Sequence, residues 1–191
     1  MRQRVNVTGP MKKPLETERL VLTEIRWVDL KGIHRLHKFA EVDEFNTVGI
    51  PETIDDTRKL IRVPIMDQFK KQRSAFCWSI RDRKSTFMGT VGLNLKDPRY
   101  KSGEVYYSLY PKYWGNGYAT ESLKRVMQFG FQTLNLHRIE AGVAVENTRS
   151  IRVLEKVGMQ REGRARKILP IRGNWVDNFS YAILEEDLIS S

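Results

Sequence analysis

Three groups of residues in this chain have the types and spacing that chemistry requires. The first is Tyr113-Trp-Gly-Asn-Gly-Tyr-Ala-Thr120, set between a strand-like run, Gly103 to Tyr110, and a helix-like run, Ala119 to Leu134. Its two glycines let the backbone turn tightly and approach a ligand with no Cβ in the way. Beyond them Ala119, Leu123, Val126, Met127, Phe131 and Leu134 recur at helical spacing, with Glu121, Lys124, Arg125, Gln128 and Gln132 opposite. A helix starting near Asn116 leaves the amides of Gly117, Tyr118, Ala119 and Thr120 without intrahelical partners. Those donors lie at the positive end of the helix dipole, which predicts an anion site, read as a pyrophosphate cradle formed by Gly115 to Thr120. A glycine turn that only caps a core helix would have the same composition.

The second group is Asn147-Thr-Arg-Ser150, which caps a short helix to Val157, stopped by Gly158 in the usual C-terminal glycine position. Asn147 reads as an N-cap and Ser150 as a first-turn serine; either side chain is also suited to a ligand. The third is Glu104, an ionisable residue on the strand that feeds the glycine loop, with a salt-bridged strand residue as the plain alternative.

Two familiar phosphate loops do not fit. A Walker loop needs Gly-Lys-Ser/Thr, and Gly117 is followed by Tyr118. A dinucleotide fingerprint needs a third glycine where Thr120 stands, and an acidic residue closing the next strand, which Glu140 opens instead.

Around these groups the chain of 191 residues suits one domain, read as residues 14–191 after a flexible arm over residues 1–13 that carries Gly9-Pro10. Apolar content of 40% and charged content of 29% are those of a soluble globular protein. No apolar run approaches bilayer length and no block near Met1 resembles a secretory signal. A single cysteine, Cys77, excludes an internal disulfide and suits a reducing cytoplasm. With three histidines (His34, His37, His137) and that cysteine, no metal site is expected. The net charge of +10 favours anionic partners: a nucleotide-like cofactor, ribosomal RNA or an acidic protein. Excess Lys and Arg that only keep a protein soluble would give the same charge.

In order, Leu15 to Ile25 reads as a strand, and Asp29 caps a helix to about Ala40. Glu41 to Pro51 is an acidic loop. Thr53-Ile-Asp-Asp56 reads as a capping box opening a helix that Pro64 interrupts or kinks before it resumes to Lys71. Strands follow at Ala75–Arg81 and Phe87–Leu95, joined through Asp82-Arg-Lys-Ser85, and at His137–Glu146, Gln160–Leu169 and Trp175–Leu184. The order of elements argues for one α/β layer fold.

The run from strand to helix through Gly117 and Ala119 resembles the coenzyme A loop of the GNAT N-acetyltransferases, with Trp114 where that loop usually carries Gln or Arg. Asn147 and Ser150, followed by Leu154 and Gly158-Met159, resemble the same superfamily's Asn-x-x-Ser-x-x-x-Leu-x-x-x-Gly-Phe block. Leu15-Glu-Thr-Glu-Arg19-Leu20, Glu104 and Tyr107, Tyr113-Trp114-Gly115, Gln160-Arg-Glu162-Gly163, and Gly173, Asp177 and Tyr181 resemble the RimJ/RimL branch, over roughly residues 15–188.

The resemblance implies a single-domain α/β GNAT fold. Its mixed, mostly antiparallel central sheet would have about six to seven strands, splayed between the fourth and fifth, with helices on both faces. It implies acetyl transfer from acetyl-CoA to a primary amine in a ternary complex. The backbone of Tyr107, Ser108 and Leu109 would pair with pantetheine, and a bulge would free an amide near Leu109 for the oxyanion. Gly115, Asn116, Gly117, Tyr118, Ala119 and Thr120 would hold the pyrophosphate, and Asn147 would bind near the pantetheine. Many relatives use a Tyr at the place of Leu154, so Ser150 is the candidate acid for the departing thiolate; Glu104 is the candidate base. Glu41, Asp43 and Glu44 would greet a cationic amine, and Trp27, Phe45, Trp175 and Tyr181 would line the pocket wall.

Expected partners are acetyl-CoA, an amine acceptor such as a protein N-terminus, the ribosome and a second copy of the chain, with no membrane. Two other readings compete with acetylation of a protein N-terminus: acetylation of a small amine (a polyamine, amino acid or aminoglycoside), and an RNA- or ribosome-binding module using Arg161, Arg164, Arg166, Lys167 and Arg172.

Overall fold

The computed structural model describes residues 7–187. Eight strands form one sheet in the order β1-β2-β3-β4-β5-β6-β8-β7. They are β1 (Leu15–Glu16), β2 (Leu20–Glu24), β3 (Ala75–Asp82), β4 (Phe87–Leu95), β5 (Ser102–Leu109), β6 (Arg138–Ala144), β7 (Gln160–Ile171) and β8 (Asn174–Leu184). All neighbours are antiparallel except β5 and β6. The count exceeds the six to seven expected because the run from Leu15 to Ile25 breaks into β1 and β2. Its turn is closed by Thr17 N–H to the Leu20 carbonyl at 3.0 Å.

Five helices cover the sheet: α1 (Leu30–His37), α2 (Ala40–Asp43), α3 (Ile54–Asp67), α4 (Tyr118–Gln128) and α5 (Thr148–Lys156). Period-two alternation along the strands divides the packing. Phe76, Trp78 and Ile80 of β3 and Val105 and Leu109 of β5 join α4 and α5 residues in the larger core. Cys77 packs instead with Ile33 of α1 and Ile61 and Ile65 of α3 in a smaller cluster on the other face.

Thr53 caps α3 as the capping box predicts: its hydroxyl accepts from Asp56 N–H at 3.3 Å and its own N–H donates to the Asp56 carboxylate at 2.9 Å. The expected interruption at Pro64 does not occur; α3 runs through it and ends at Asp67 rather than Lys71. The carbonyl that loses its donor belongs to Leu60, an exposed residue on the solvent side of the helix. The arm expected over residues 1–13 is anchored from Val7 onwards. Val7 and Met11 pack on the larger core, and Met11 N–H donates to Glu24 at 2.6 Å. Glu24 is also buried against Arg73, whose guanidinium donates to the Gly9 carbonyl at 3.3 Å. The first six residues of that arm lie outside the described residues. Among the described residues, no helix is long and apolar enough to cross a membrane, and no group of His, Cys, Asp and Glu could hold a metal ion.

Candidate active site

The sheet opens at its one parallel joint. β5 and β6 pair only at Ser102↔Arg138, Gly103↔Ile139 and Glu104↔Glu140, although β5 continues to Leu109 and β6 to Ala144. These strands are the fourth and fifth of the sequence reading, so the splay lies where it was expected. Tyr110 N–H donates to the Met88 carbonyl at 3.0 Å, which fixes the parity of the β4–β5 ladder. Even-numbered residues there, Ser108 included, turn their backbone groups to β4, while Tyr107 and Leu109 turn theirs to the gap. The backbone of Ser108 is therefore spent within the sheet. The expected bulge near Leu109 is not formed either: the register runs unbroken from Gly89↔Leu109 to Leu95↔Gly103. The Leu109 amide faces the gap because β6 has diverged. Its carbonyl already accepts from Trp114 Nε1–H at 2.8 Å.

That tryptophan contact starts the glycine loop. Gly115 and Gly117 have φ of 77° and 79°, and a Cβ would meet nothing within 4 Å at the first and only the Arg19 guanidinium at the second. Glycine is required here by the left-handed backbone, not by space. Gly117 caps α4, and the first helical bond is Glu121 N–H to its carbonyl at 2.9 Å. The amides of Tyr118, Ala119 and Thr120 accordingly have no partner among the described residues, and they sit at a half-exposed surface beside the gap. Glu121, in the same first turn, would repel an anion, but Arg19 cancels it with a bidentate pair at 2.6 and 2.7 Å. That pairing and the Thr17 hydroxyl hold the Glu121 carboxyl below its ordinary range against the opposing effect of burial. Arg19 also donates to the Asn116 carbonyl at 3.1 Å and stacks over Tyr118 at 4.5 Å. Sequence reasoning singled out Arg19 only within an opening motif; its place at this loop depends on a contact spanning almost a hundred residues.

Across the gap, Asn147 caps α5, its Oδ1 accepting from Ser150 N–H at 3.0 Å. The capping role is thus real, and the amide end of Asn147 remains for a ligand. Ser150 is half-buried, and the neighbouring polar side chain is that of Tyr107, from the other lip of the gap. The two hydroxyls face each other without a well-formed hydrogen bond. Burial pushes the Tyr107 phenol up to about 12.

Glu104 lies on the opposite face. It shares parity with Tyr106, whose hydroxyl meets Cys77 of the α1–α3 cluster. Ser150 and Tyr107 belong to the α4–α5 face. The Glu104 carboxylate has no hydrogen bond or ion pair among the described residues and borders a cavity of about 100 Å³ with Arg138, Gly142, Asn178 and Ser180. The buried Oδ1 of Asn178 has no partner. Glu140, beside Glu104 in the sheet, is paired with Lys96 and Arg138, so its carboxyl stays below the usual range despite burial.

The acidic loop is less available than the sequence suggested. Asp43 is 5% exposed and pairs with Arg172 at 3.2 Å, and Glu44 pairs with Arg149 at 2.9 Å; Glu41 is exposed and unpaired among the described residues. Arg149 also lies over the Trp114 ring at 4.6 Å. Among the aromatic residues expected on the pocket wall, Tyr181 is placed in the larger core, 1% exposed, with its hydroxyl on Glu155 at 3.2 Å. It is therefore withheld from an acceptor. Trp27 and Trp175 are 45% and 64% exposed, and Phe45 is half-buried. Of the basic residues, Arg164 is paired with Asp177 and Arg161 lies over Phe179.

A split sheet with a glycine-capped helix at one lip is a layout suited to an anionic ligand with an extended arm, as acyl-CoA-using acyltransferases require. A profile of the Acetyltransferase (GNAT) domain matches residues 19–160, and the chain belongs to that family of N-acetyltransferases. It is 31% identical to an uncharacterized N-acetyltransferase, YoaA, of Bacillus subtilis, over 90% of this chain and 96% of that one. It is 29% identical to the [ribosomal protein uS5]-alanine N-acetyltransferase of Escherichia coli over 66% of each chain. The crystal structure of spermidine N-acetyltransferase from Vibrio cholerae in complex with CoA and spermine superimposes with a TM-score of 0.80 at 25% identity, covering 91% of this chain and 99% of that one.

Proposed function

We propose that this N-acetyltransferase acts on the α-amine of a protein N-terminus, as the RimJ/RimL branch does, with acetyl-CoA as donor. The supporting observation is that two of the three acidic residues in the acceptor-side loop, Asp43 and Glu44, are neutralised by Arg172 and Arg149. A polycation gains little from carboxylates that already hold a guanidinium, whereas a single neutral amine does not need them. An α-amine with pKa about 8 also reaches its neutral, nucleophilic form far more readily near pH 7 than an alkylamine near about 10.4. A ribosomal protein as acceptor would set the enzyme to work in the cytoplasm beside the ribosome, and the net charge of +10 suits that surrounding.

In this reading the pyrophosphate rests on the amides from Gly115 to Thr120, and the pantetheine arm fills the gap, bonding to the backbone of Tyr107 and Leu109 and to Asn147. The amine nitrogen bonds to the thioester carbon, and the Leu109 amide stabilises the oxyanion. The C–S bond then breaks with its electron pair passing to sulfur, where the Ser150 hydroxyl donates. The amine proton leaves through Glu104 or water. Acid and base stand on opposite faces of β5, so the Ser150 proton and the incoming amine can reach the thioester from opposite sides.

Likeness to a spermidine acetyltransferase and the unpaired Glu41 favour a second reading, polyamine acetylation. Acetylation rates for N-terminal peptides and for spermidine, measured side by side at pH 7.5, separate the two. A kcat/KM for spermidine above that for every peptide would reverse the preference. Absence of thermal stabilisation by acetyl-CoA would remove both.

A further inference from the structure

We propose that Tyr107 is a positioning residue for Ser150, its phenol donating to Ser150 Oγ so that the serine's own proton points into the gap toward the thioester sulfur. This rests on the role given to Ser150 above. The Tyr107 hydroxyl is buried and has no hydrogen-bond partner, an unfavourable state that native structures seldom tolerate without a use. Its ring packs on the α4–α5 core while its backbone turns into the gap, so the side chain is fixed from both ends. The polar side chain it faces is Ser150.

Ser150 is anchored too, because its amide is held by Asn147 at 3.0 Å. Only the torsions of its hydroxyl group are left to be set. A first-turn serine left alone turns its hydroxyl to a nearby backbone carbonyl, which would aim the proton away from a ligand. Serine oxygen accepts as well as donates. An incoming bond from the phenol occupies a lone pair and leaves the proton for sulfur. Burial holds the phenol in its protonated form throughout the working range, which makes it a constant donor and not a proton source. A small closure of the two lips on an acyl-CoA would complete the bond.

The test compares Tyr107→Phe, Ser150→Ala and the double variant by steady-state kinetics with acetyl-CoA and a peptide amine, alongside acetyl-CoA affinity and melting temperature. Tyr107→Phe should lower kcat about five- to tenfold, the size of one lost hydrogen bond, with acetyl-CoA affinity unchanged. Ser150→Ala should lower it at least as much, and the double variant should be no slower than Ser150→Ala alone. The melting temperature of Tyr107→Phe should equal or exceed that of the parent, because the deleted hydroxyl has no partner to lose. A Tyr107→Phe enzyme with parental kcat, or one whose loss multiplies fully with that of Ser150→Ala, overturns the inference while leaving Ser150 in place. Parental kcat in Ser150→Ala overturns both.

Discussion

The two halves of the cleft are made of different material. The half proposed for the cofactor is backbone: the amides of α4, the free edge of β5, and two glycines whose left-handed φ sets the turn. The half proposed for the acceptor is side chain: Arg149 and Arg172 clasp Glu44 and Asp43, and Arg149 leans on Trp114 to join the halves. In the proposed reading that backbone geometry receives the diphosphate, and it changes little when neighbouring side chains do. The exposed Arg149–Glu44 pair is worth only about 0.2–1 kcal/mol, so that part of the clasp can be retuned at small cost to the fold, whereas removing Arg172 would leave the buried Asp43 carboxylate uncompensated.

Variants can break that contrast in descending order of effect. Gly117→Glu forces a side chain into a left-handed position and sets a carboxylate among the phosphate amides. Strain of about 1–2 kcal/mol adds to charge repulsion, so acetyl-CoA affinity should fall by about a hundredfold or more in titration calorimetry. Retained affinity would mean the diphosphate sits elsewhere. Arg149→Ala should leave that affinity within about twofold yet free Glu44, raising kcat/KM for spermidine and lowering that for peptides by up to about fivefold. If both acceptors moved together, the clasp would be structural and not selective.

Cys77 serves as a reporter beneath the acceptor half. Burial pushes its thiol up to about 11, so at pH 8 it should resist thiol reagents in the folded enzyme and react at once in denaturant. Prompt native labelling would show that this face opens. The smallest effect concerns His37, whose pKa is lowered by burial and by His34, against an opposing pull from Asp43. The unfolded chain then binds the proton more readily, so stability should decline as pH falls below about 6.5. The decline in melting temperature should be shallower in His37→Gln, and an identical slope would place its origin elsewhere.

The glycine turn and the α5 cap were legible because their requirements are local. Gly117 and Ala119 between a strand and an amphipathic run, and Asn147 three residues before Ser150, each specify a backbone shape within one turn. Thr53 and Asp56 announced α3 for the same reason. What stayed hidden is set by long-range contact. Arg19 reaches Glu121, Arg149 reaches Glu44, and Tyr107 meets Ser150, each bringing together residues that sequence spacing does not relate. The neutralised acidic loop is the clearest case: Glu41 to Glu44 reads as a cation trap until its arginines are located. The expected bulge failed because divergence of β6 exposes the Leu109 amide without a kink in β5.

The short parallel joint between β5 and β6 has a mechanical consequence. Three residue pairs, with the His137 amide bonded to the Lys101 carbonyl at 2.7 Å just before them, form the short root shared by a five-strand blade and a three-strand blade. A root so short would let the blades hinge, and in the proposed reading a guest chain stitched along both open edges would act as a ninth, borrowed strand. Hydrogen exchange on Tyr107, Leu109 and the facing residues of β6 should therefore slow when the guest is present, as the two blades begin to move as one.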